Sequence, residues 1–134
     1  KLMNENPFSN TRFDLARNNI SRLKEIFKSG HLDDFINLTE SEALMIHSLM
    51  LSSNPYFILM KPNTLEVIQR VLEFRKDTKL PISFTLDAGS NVHLLYPNSV
   101  KESIQKFIEA DLLKFCKSKT YIHDSLGMGS EKLM

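Results

Sequence analysis

The spacing of the apolar residues changes after the third predicted helix, and this change constrains the fold more than any other feature. Through the first half of the sequence the apolar positions recur every three or four residues, which is typical of amphipathic helices. Over residues 82–86 they alternate with polar residues, which is the period of a β-strand. Gly89 breaks this pattern, and residues 92–96 predict a returning strand. We therefore expect an α+β fold with helices on one face of a small antiparallel sheet.

Two helices are predicted in the first half of the chain. The first has its apolar stripe from Phe13 onward and ends at Gly30, which suits a helix end. The second begins at Asp33 or Asp34, whose carboxylates favour the positive end of the helix dipole, and it ends before Pro55. The predicted inward positions are Phe13, Ala16, Ile20, Leu23 and Phe27 in the first helix, and Phe35, Leu38, Ile46, Leu49 and Met50 in the second.

Two further helices flank the strand pair. Asn63 is a plausible cap for the third helix, and Ser99 with Glu102 has the spacing of a capping box for the fourth. Tyr121 and Ile122 predict a last short strand. The predicted inward positions are Leu65, Ile68 and Leu72 in the third helix, and Ile104, Phe107, Ile108, Leu112 and Phe115 in the fourth.

The composition restricts the classes of function. A length of 134 residues suits one domain, which we place over residues 1–134. The 17 Lys and Arg residues balance 16 Asp and Glu residues, so neither nucleic acid nor a membrane surface is an expected partner. The single cysteine cannot form an internal disulfide, and we expect a reducing, cytoplasmic compartment. No glycine-rich phosphate-binding motif is present in the sequence.

Asp87 has the most unusual setting of the polar residues. It ends the predicted strand, on the face opposite Phe84 and Leu86, and the small residues Ala88 and Gly89 follow it. A carboxylate beside open backbone can orient a ligand or accept a proton. The other interpretation is an aspartate that caps a hairpin turn, with Gly89 supplying a positive φ angle. The residues alone leave both interpretations open.

Other titratable side chains carry weaker signals. His47 is a second candidate site residue, although packing within the helix layer explains a lone helical histidine equally well. His93 and His123 are expected on strands without acidic neighbours, and we predict no metal site. Cys116 lies beside two lysines, a setting that lowers a thiol pKa, but its place at a helix end favours an inert residue.

Four short segments carry a resemblance to a known family. Residues 43–47 read Ala-Leu-Met-Ile-His, residues 53–57 contain a Pro-x-Phe turn, residues 85–91 read Thr-Leu-Asp-Ala-Gly-Ser-Asn, and Gly127 and Gly129 form a closing pair. Together they resemble the C-terminal domain of diphosphomevalonate decarboxylases, in the superfamily of galactokinase, homoserine kinase and mevalonate kinase. The third segment is the most specific, because it is similar to the family signature Thr-x-Asp-Ala-Gly-x-Asn. Ser90 stands where Pro or Ala is common, and its small size keeps the turn.

The resemblance implies a ferredoxin-like C-terminal domain of a larger, ATP- and Mg²⁺-dependent enzyme. Such an enzyme converts mevalonate 5-diphosphate to isopentenyl diphosphate, CO₂, ADP and phosphate in isoprenoid biosynthesis. By match to the signature, Asp87 is the catalytic aspartate, and the backbone at Ala88 and Gly89 meets the substrate. ATP and Mg²⁺ are expected to bind mainly to an N-terminal part that this chain lacks, so the chain alone is expected to be inactive. The full-length enzyme is expected to be a homodimer.

Two alternatives remain at this point. A phosphomevalonate decarboxylase or a mevalonate 3-kinase of the same superfamily would share the phosphorylated hydroxyl but differ in substrate or product. A non-catalytic ligand-sensing or interaction domain would use the same fold without chemistry.

Overall fold

The computed structural model describes residues 6–127, which contain four α-helices and one two-stranded antiparallel sheet. This arrangement confirms the predicted α+β class. The strand pair follows the third helix, as the change of period indicates. The helices are α1 (Ser9–Ser29), α2 (Leu32–Leu51), α3 (Pro62–Thr78) and α4 (Lys101–Phe107), and the strands are β1 (Ser83–Leu86) and β2 (Val92–Leu95). A 3₁₀ turn (Asn98–Val100) precedes α4, and a π-helical turn (Ile108–Leu112) and two 3₁₀ turns (Leu113–Phe115 and Lys117–Lys119) follow it.

The hydrophobic core gathers around β1. The side chains of Ile82 and Phe84 are almost completely buried, and α2 lies along the strand. From the other helices, the rings of Phe74 and Phe107 stack at 4.0 Å between centroids. Ser83 is also fully buried, so the predicted exposed side of the strand does not extend to this residue. The buried cluster is Ala43, Val67, Ile68, Val71, Ile82, Phe84, Leu86, Ile104, Phe107, Ile108 and Leu112.

The predicted inward stripe of α1 is wrong for its aromatic and branched members. Phe13, Ile20 and Phe27 are exposed, because α1 packs on α2 through a neighbouring stripe of its surface. That stripe carries polar side chains, and Arg12 and Asn19 both donate hydrogen bonds to the carboxylate of Glu42 on α2. The inward stripe comprises Arg12, Ala16, Asn19, Leu23 and Ile26.

In the other three helices, some of the residues predicted to point inward are buried and others are not. In α2, Leu38 and Leu49 are buried, while the other three predicted positions are half-buried. In α3, Ile68 is buried but Leu65 and Leu72 are exposed, since Val67 and Val71 occupy the core side of this helix. In the segment that begins with α4 the prediction is confirmed for four residues, and Phe115 is half-buried.

Two predicted helix caps are wrong. Lys61 precedes α3, and its backbone N–H donates to the side chain of Thr64 at 3.1 Å. Asn63 lies within the first turn and donates instead to the carbonyl of Phe115 at 3.0 Å. The side chain of Ser99 does not cap α4, because Ser99 is taken into the 3₁₀ turn before that helix. By contrast, Gly30 ends α1 in the left-handed conformation at φ 71°, as predicted.

The segment after the last 3₁₀ turn has no regular structure up to residue 127. Tyr121 and Ile122 were predicted as a strand, but they lie in an extended stretch with exposed side chains and no strand beside it. The prediction is therefore wrong for these residues. Gly127 lies in this stretch as expected, and Gly129 lies outside the described residues.

A buried ion pair joins α2, α3 and β1. Arg75 of α3 donates to both carboxylate oxygens of Glu40 on α2 and also to the carbonyl of Ile82 at 2.7 Å. The same carboxylate accepts the backbone N–H of Phe84 in β1 at 3.4 Å. The hydrogen bond to Glu40 raises the pKa of Arg75 above its ordinary value. The three elements are thus fixed relative to one another by one charged cluster.

Candidate functional site

The strand pair places Asp87 at the open end of the sheet. β1 ends at Leu86, whose side chain is buried, and the next residue turns its carboxylate away from the core. The Asp87 side chain is 58% exposed, so a ligand can reach both oxygens. The segment of residues 87–91 then bends back to β2 without regular hydrogen bonding. An exposed carboxylate at a strand end next to small residues matches the predicted setting.

At Gly89 the structure limits the space for a side chain and does not impose a left-handed backbone. Among the described residues the only glycine with a positive φ is Gly30, so the alternative interpretation is wrong in giving Gly89 a positive φ. A Cβ atom built on Gly89 would lie 3.0 Å from Oδ1 of Asp87. This distance is shorter than an ordinary van der Waals contact. The missing side chain at Gly89 therefore leaves room for the Asp87 carboxylate.

His47 lies directly beneath this segment. It is 2% exposed on α2, and its Nε2 atom is 3.0 Å from the backbone carbonyl oxygen of Asp87. A carbonyl oxygen only accepts hydrogen bonds, so Nε2 carries the proton and donates it. A buried imidazole cannot reach a substrate in solution. The structure therefore connects His47 to Asp87 through the backbone and excludes direct access from the surface.

His93 approaches Asp87 from the second strand. Thr85 pairs with His93 in the sheet register, and Nε2 of His93 is 3.7 Å from Oδ2 of Asp87. The expectation that His93 has no acidic neighbour is wrong, because the short connection between the strands brings the two side chains together. The distance is within ion-pair range but too long for a direct hydrogen bond. A histidine at this place can put positive charge beside the carboxylate when it is protonated.

Thr64 is a further residue of this region that the sequence did not single out. Its hydroxyl, 3% exposed at the start of α3, donates to the carbonyl of Ser90 at 2.8 Å. The sequence signal was the Pro-Asn-Thr helix start, from which we took Asn63 as the capping residue. For His93 the available signal was the hairpin itself, since a residue shortly after the turn faces the residues at the end of β1.

The remaining candidates lie apart from Asp87. Cys116 is half-buried, and burial raises the pKa of its thiol, which is opposite to the effect predicted from the two lysines. His123 lies outside the strands. Within residues 6–127 no three His, Cys, Asp or Glu side chains are grouped so that they could hold a metal ion. No helix in the same part of the chain is long and apolar enough to cross a membrane.

The most evident pocket is not this site. It has a volume of about 410 Å³ and lies between the start of α1 and the end of α2, where Phe8, Leu15 and Met45 contribute apolar surface. None of the residues around Asp87 lines it. The candidate site is the group of polar residues at the end of β1. A reaction site needs reactive side chains, and no carboxylate lines the pocket.

The sequence model of the family described as "Mevalonate 5-diphosphate decarboxylase C-terminal domain" matches residues 6–131. The chain belongs to this family. The match includes Asp87, Ala88 and Gly89, and it confirms the resemblance seen in the sequence.

Solved structures of the same family have this fold. The mevalonate diphosphate decarboxylase from Legionella pneumophila is 27% identical with a TM-score of 0.76, over 83% of this chain and 35% of that one. The enzyme from Staphylococcus aureus is 23% identical with a TM-score of 0.76, over 83% and 34% of the two chains. The enzyme from Enterococcus faecalis is 24% identical with a TM-score of 0.75, over 82% of this chain and 34% of that one.

The chain therefore spans about a third of the length of these solved proteins. A similar structure, MDDEF, was solved in complex with MVAPP, AMPPCP and magnesium; it is 24% identical with a TM-score of 0.78, over 86% of this chain and 35% of that one. A comparison with curated protein sequences found no match.

Proposed function

We propose that this chain is the C-terminal domain of an ATP-dependent decarboxylase that converts mevalonate 5-diphosphate to isopentenyl diphosphate, CO₂, ADP and phosphate. Residues 1–134 form a single domain of that enzyme. The observation that carries the proposal is the exposed carboxylate of Asp87, held at the end of β1 within a segment that matches the family signature. The solved relatives named as mevalonate diphosphate decarboxylases support the same substrate.

Asp87 is proposed to act on the tertiary hydroxyl of the substrate. An aspartate carboxylate is too weak a base to remove an alcohol proton completely beforehand. It can accept that proton while the oxygen–phosphorus bond forms and the bond from the γ-phosphorus to ADP breaks. As the new phosphate group leaves C3 with the electron pair of the C–O bond, Asp87 returns the proton to a phosphate oxygen, and the restored carboxylate stabilises the positive charge that develops at C3. The electron pair of the breaking C–CO₂ bond then forms the double bond of the product.

Ala88 and Gly89 are proposed to contact the substrate through their backbone. Ala88 is exposed and Gly89 is half-exposed, and neither carries a side chain that would block an approach to the main chain. Backbone N–H groups beside Asp87 can donate to substrate oxygens. This proposal explains why two very small residues follow the carboxylate.

ATP enters this reaction as a second substrate, together with Mg²⁺. We propose that both bind mainly to a part of the enzyme outside this chain, as the family resemblance implies. The MDDEF complex with AMPPCP and magnesium supports a nucleotide and a metal in the family. It follows that the 134-residue chain alone is inactive. The homodimeric state of the enzyme and its cytoplasmic location stay predictions.

The test uses the full-length enzyme that contains this domain. ADP and CO₂ release are measured with mevalonate 5-diphosphate and Mg-ATP, and the Asp87→Asn variant is compared with the parent. We expect rapid release by the parent and a loss of about 10³-fold or more in the variant, since general-base and electrostatic roles together reach this size. Ser103→Ala, an exposed change on α4, serves as the matched control with parental rates.

Four results would redirect the proposal. Turnover that survives Asp87→Asn removes this residue from the mechanism. Activity on the monophosphate instead of the diphosphate changes the substrate to that of a phosphomevalonate decarboxylase. ADP release without CO₂ identifies a mevalonate 3-kinase. A full-length protein that is silent with all of these substrates points to the non-catalytic alternative.

A further inference from the structure

The segment that carries Asp87 is held at both ends by buried side chains. Residues 87–91 form no regular hydrogen-bonded structure of their own. The carbonyl of Asp87 accepts a hydrogen bond from His47 on α2, and the carbonyl of Ser90 accepts one from Thr64 on α3. These two contacts lie on either side of Gly89. They connect the segment to two helices that are part of the core.

The two donors are themselves fixed in place. His47 and Thr64 are 2% and 3% exposed, so their side chains have little freedom to move. The hydroxyl of Thr64 also accepts the backbone N–H of Lys61 at 3.1 Å, which orients the hydroxyl toward Ser90. Both hydrogen bonds are partly buried, and a carbonyl that is shielded from water and loses its donor is left unsatisfied, which costs free energy. Each contact is therefore a rigid link between the core and the segment.

We propose that His47 and Thr64 are positioning residues, which fix the main chain on both sides of Gly89 and thereby orient the carboxylate of Asp87. This inference rests on the proposed role of Asp87 in the reaction. Neither residue touches the substrate. Their effect arises because a displacement of about 1 Å at a reacting group can lower a rate about 100-fold.

The first test compares His47→Gln with His47→Met in the full-length enzyme. The amide of glutamine can donate to the Asp87 carbonyl, whereas methionine has a similar volume but no donor. We expect His47→Gln to keep most of kcat. His47→Met should lower kcat about 10- to 100-fold with nearly unchanged KM for both substrates, as expected when only the transition state loses stabilisation. Equal losses in both variants, or none in either, would overturn the inference for His47.

The second test applies the same logic to Thr64. Thr64→Ser keeps the hydroxyl and Thr64→Val removes it at equal size. We expect near-parental kcat for the serine variant and a clear loss for the valine variant. This pair keeps the inference testable if His47→Met does not fold. Valine and serine variants with the same kcat would overturn the inference for Thr64.

A double substitution separates positioning from general stability. If His47 acts through Asp87, then His47→Met should cost almost nothing further in an enzyme that already carries Asp87→Asn. A full additional loss in the double variant would show a purely structural role and overturn the proposal. Amide hydrogen exchange of β1 and β2, the paired strands that flank this segment, gives a readout that does not depend on activity. It should accelerate in His47→Met and Thr64→Val and stay slow in the two conservative variants, and unchanged exchange in all four would contradict the anchoring.

The experiments distinguish the two proposals. The Asp87→Asn variant alone reports on the proposed function. The double variant and the exchange rates report on the anchoring, so either proposal can fail while the other is judged on its own data.

Discussion

Gly89 and Asp87 share one small volume at the end of β1. Because a Cβ atom at residue 89 would lie 3.0 Å from Oδ1 of Asp87, a larger residue would require this carboxylate to shift by a few tenths of an ångström. The backbone at Gly89 does not itself need glycine, since its φ angle lies outside the left-handed region. The preference for glycine at residue 89 therefore arises from the side chain of Asp87, which occupies the adjacent space.

This gives a prediction for Gly89→Ala in the full-length enzyme. We expect kcat to fall about 10-fold or more because the Asp87 carboxylate is displaced. The free energy of unfolding should stay equal or rise slightly, since alanine restricts the unfolded chain at a position it can adopt. Steady-state kinetics and urea unfolding measure the two effects. Parental kcat together with unchanged stability would show that the carboxylate has room to rotate without consequence.

Cys116 provides a prediction about pH. Burial raises the pKa of its thiol above the ordinary value of 9.0, and Sγ lies 3.7 Å from the carbonyl of Leu112. The native state therefore holds the proton more tightly than the unfolded state, so this group's stabilising contribution is present below pH 9 and is lost as the pH rises above it. Iodoacetamide should label the folded chain at pH 8 more slowly than the urea-unfolded chain. Equal rates in both states would contradict the shift.

The individual residues of the site were predictable to different degrees. Asp87, Ala88 and Gly89 were noticed from the strand end and the small residues, but only the family signature assigned roles to them. His47 was identified only as a candidate, since a helix position says nothing about which backbone group the ring meets. His93 was missed because its relation to Asp87 arises from strand pairing and does not exist within either strand alone.

At the scale of elements, α2 has the largest role in placing the site. It carries Glu40, which binds β1 and Arg75, and His47, which binds the residue after β1. A helix with polar groups on its buried side does not show the clean apolar stripe on which periodicity depends. This explains why the existence of α2 was predictable but the function of its buried face was not.

The charged cluster at Glu40 gives a prediction about stability. Arg75→Met should lower the free energy of unfolding by about 2–4 kcal/mol, because it leaves a largely buried carboxylate without its partner. Glu66→Gln is the matched control, since its ion pair with Arg70 is 3.9 Å long and half-exposed. We expect the control to change stability by less than about 0.5 kcal/mol. Urea denaturation of the 134-residue chain measures both, and equal small effects would show that the cluster contributes little.

The wrong stripe predicted for α1 has a related cause, because the surface of α2 that faces α1 is polar. Periodicity places Phe13, Ile20 and Phe27 on one stripe, and the geometry of that stripe is correct. The partner surface on α2 offers Glu42, however, and this carboxylate is satisfied by Arg12 and Asn19. Which stripe of a helix packs inward depends on the facing element, which a single helix sequence does not contain.

At the scale of the whole molecule, the proposed function divides the reaction centre between this domain and another part of the enzyme. The domain fixes the carboxylate, but the described residues supply neither a set of metal ligands nor a glycine-rich phosphate loop. We therefore predict that the 134-residue chain alone releases no ADP when mixed with mevalonate 5-diphosphate and Mg-ATP. A coupled ADP assay beside the full-length enzyme measures this. Measurable turnover by the chain alone would show that it holds a nucleotide site of its own.

The two contacts of α2 with β1 also set a length requirement. Glu40 and His47 are separated by seven residues, a rise of about 10 Å in a helix. Their partners, the N–H of Phe84 and the carbonyl of Asp87, are separated by a similar distance of about 10–13 Å in an extended strand. Both contacts form only while the two lengths agree. A single residue inserted or deleted between 84 and 87, or between 40 and 47, would break one contact whenever the other forms. Natural variation in chain length in this family should therefore fall in the connecting loops and spare these two intervals.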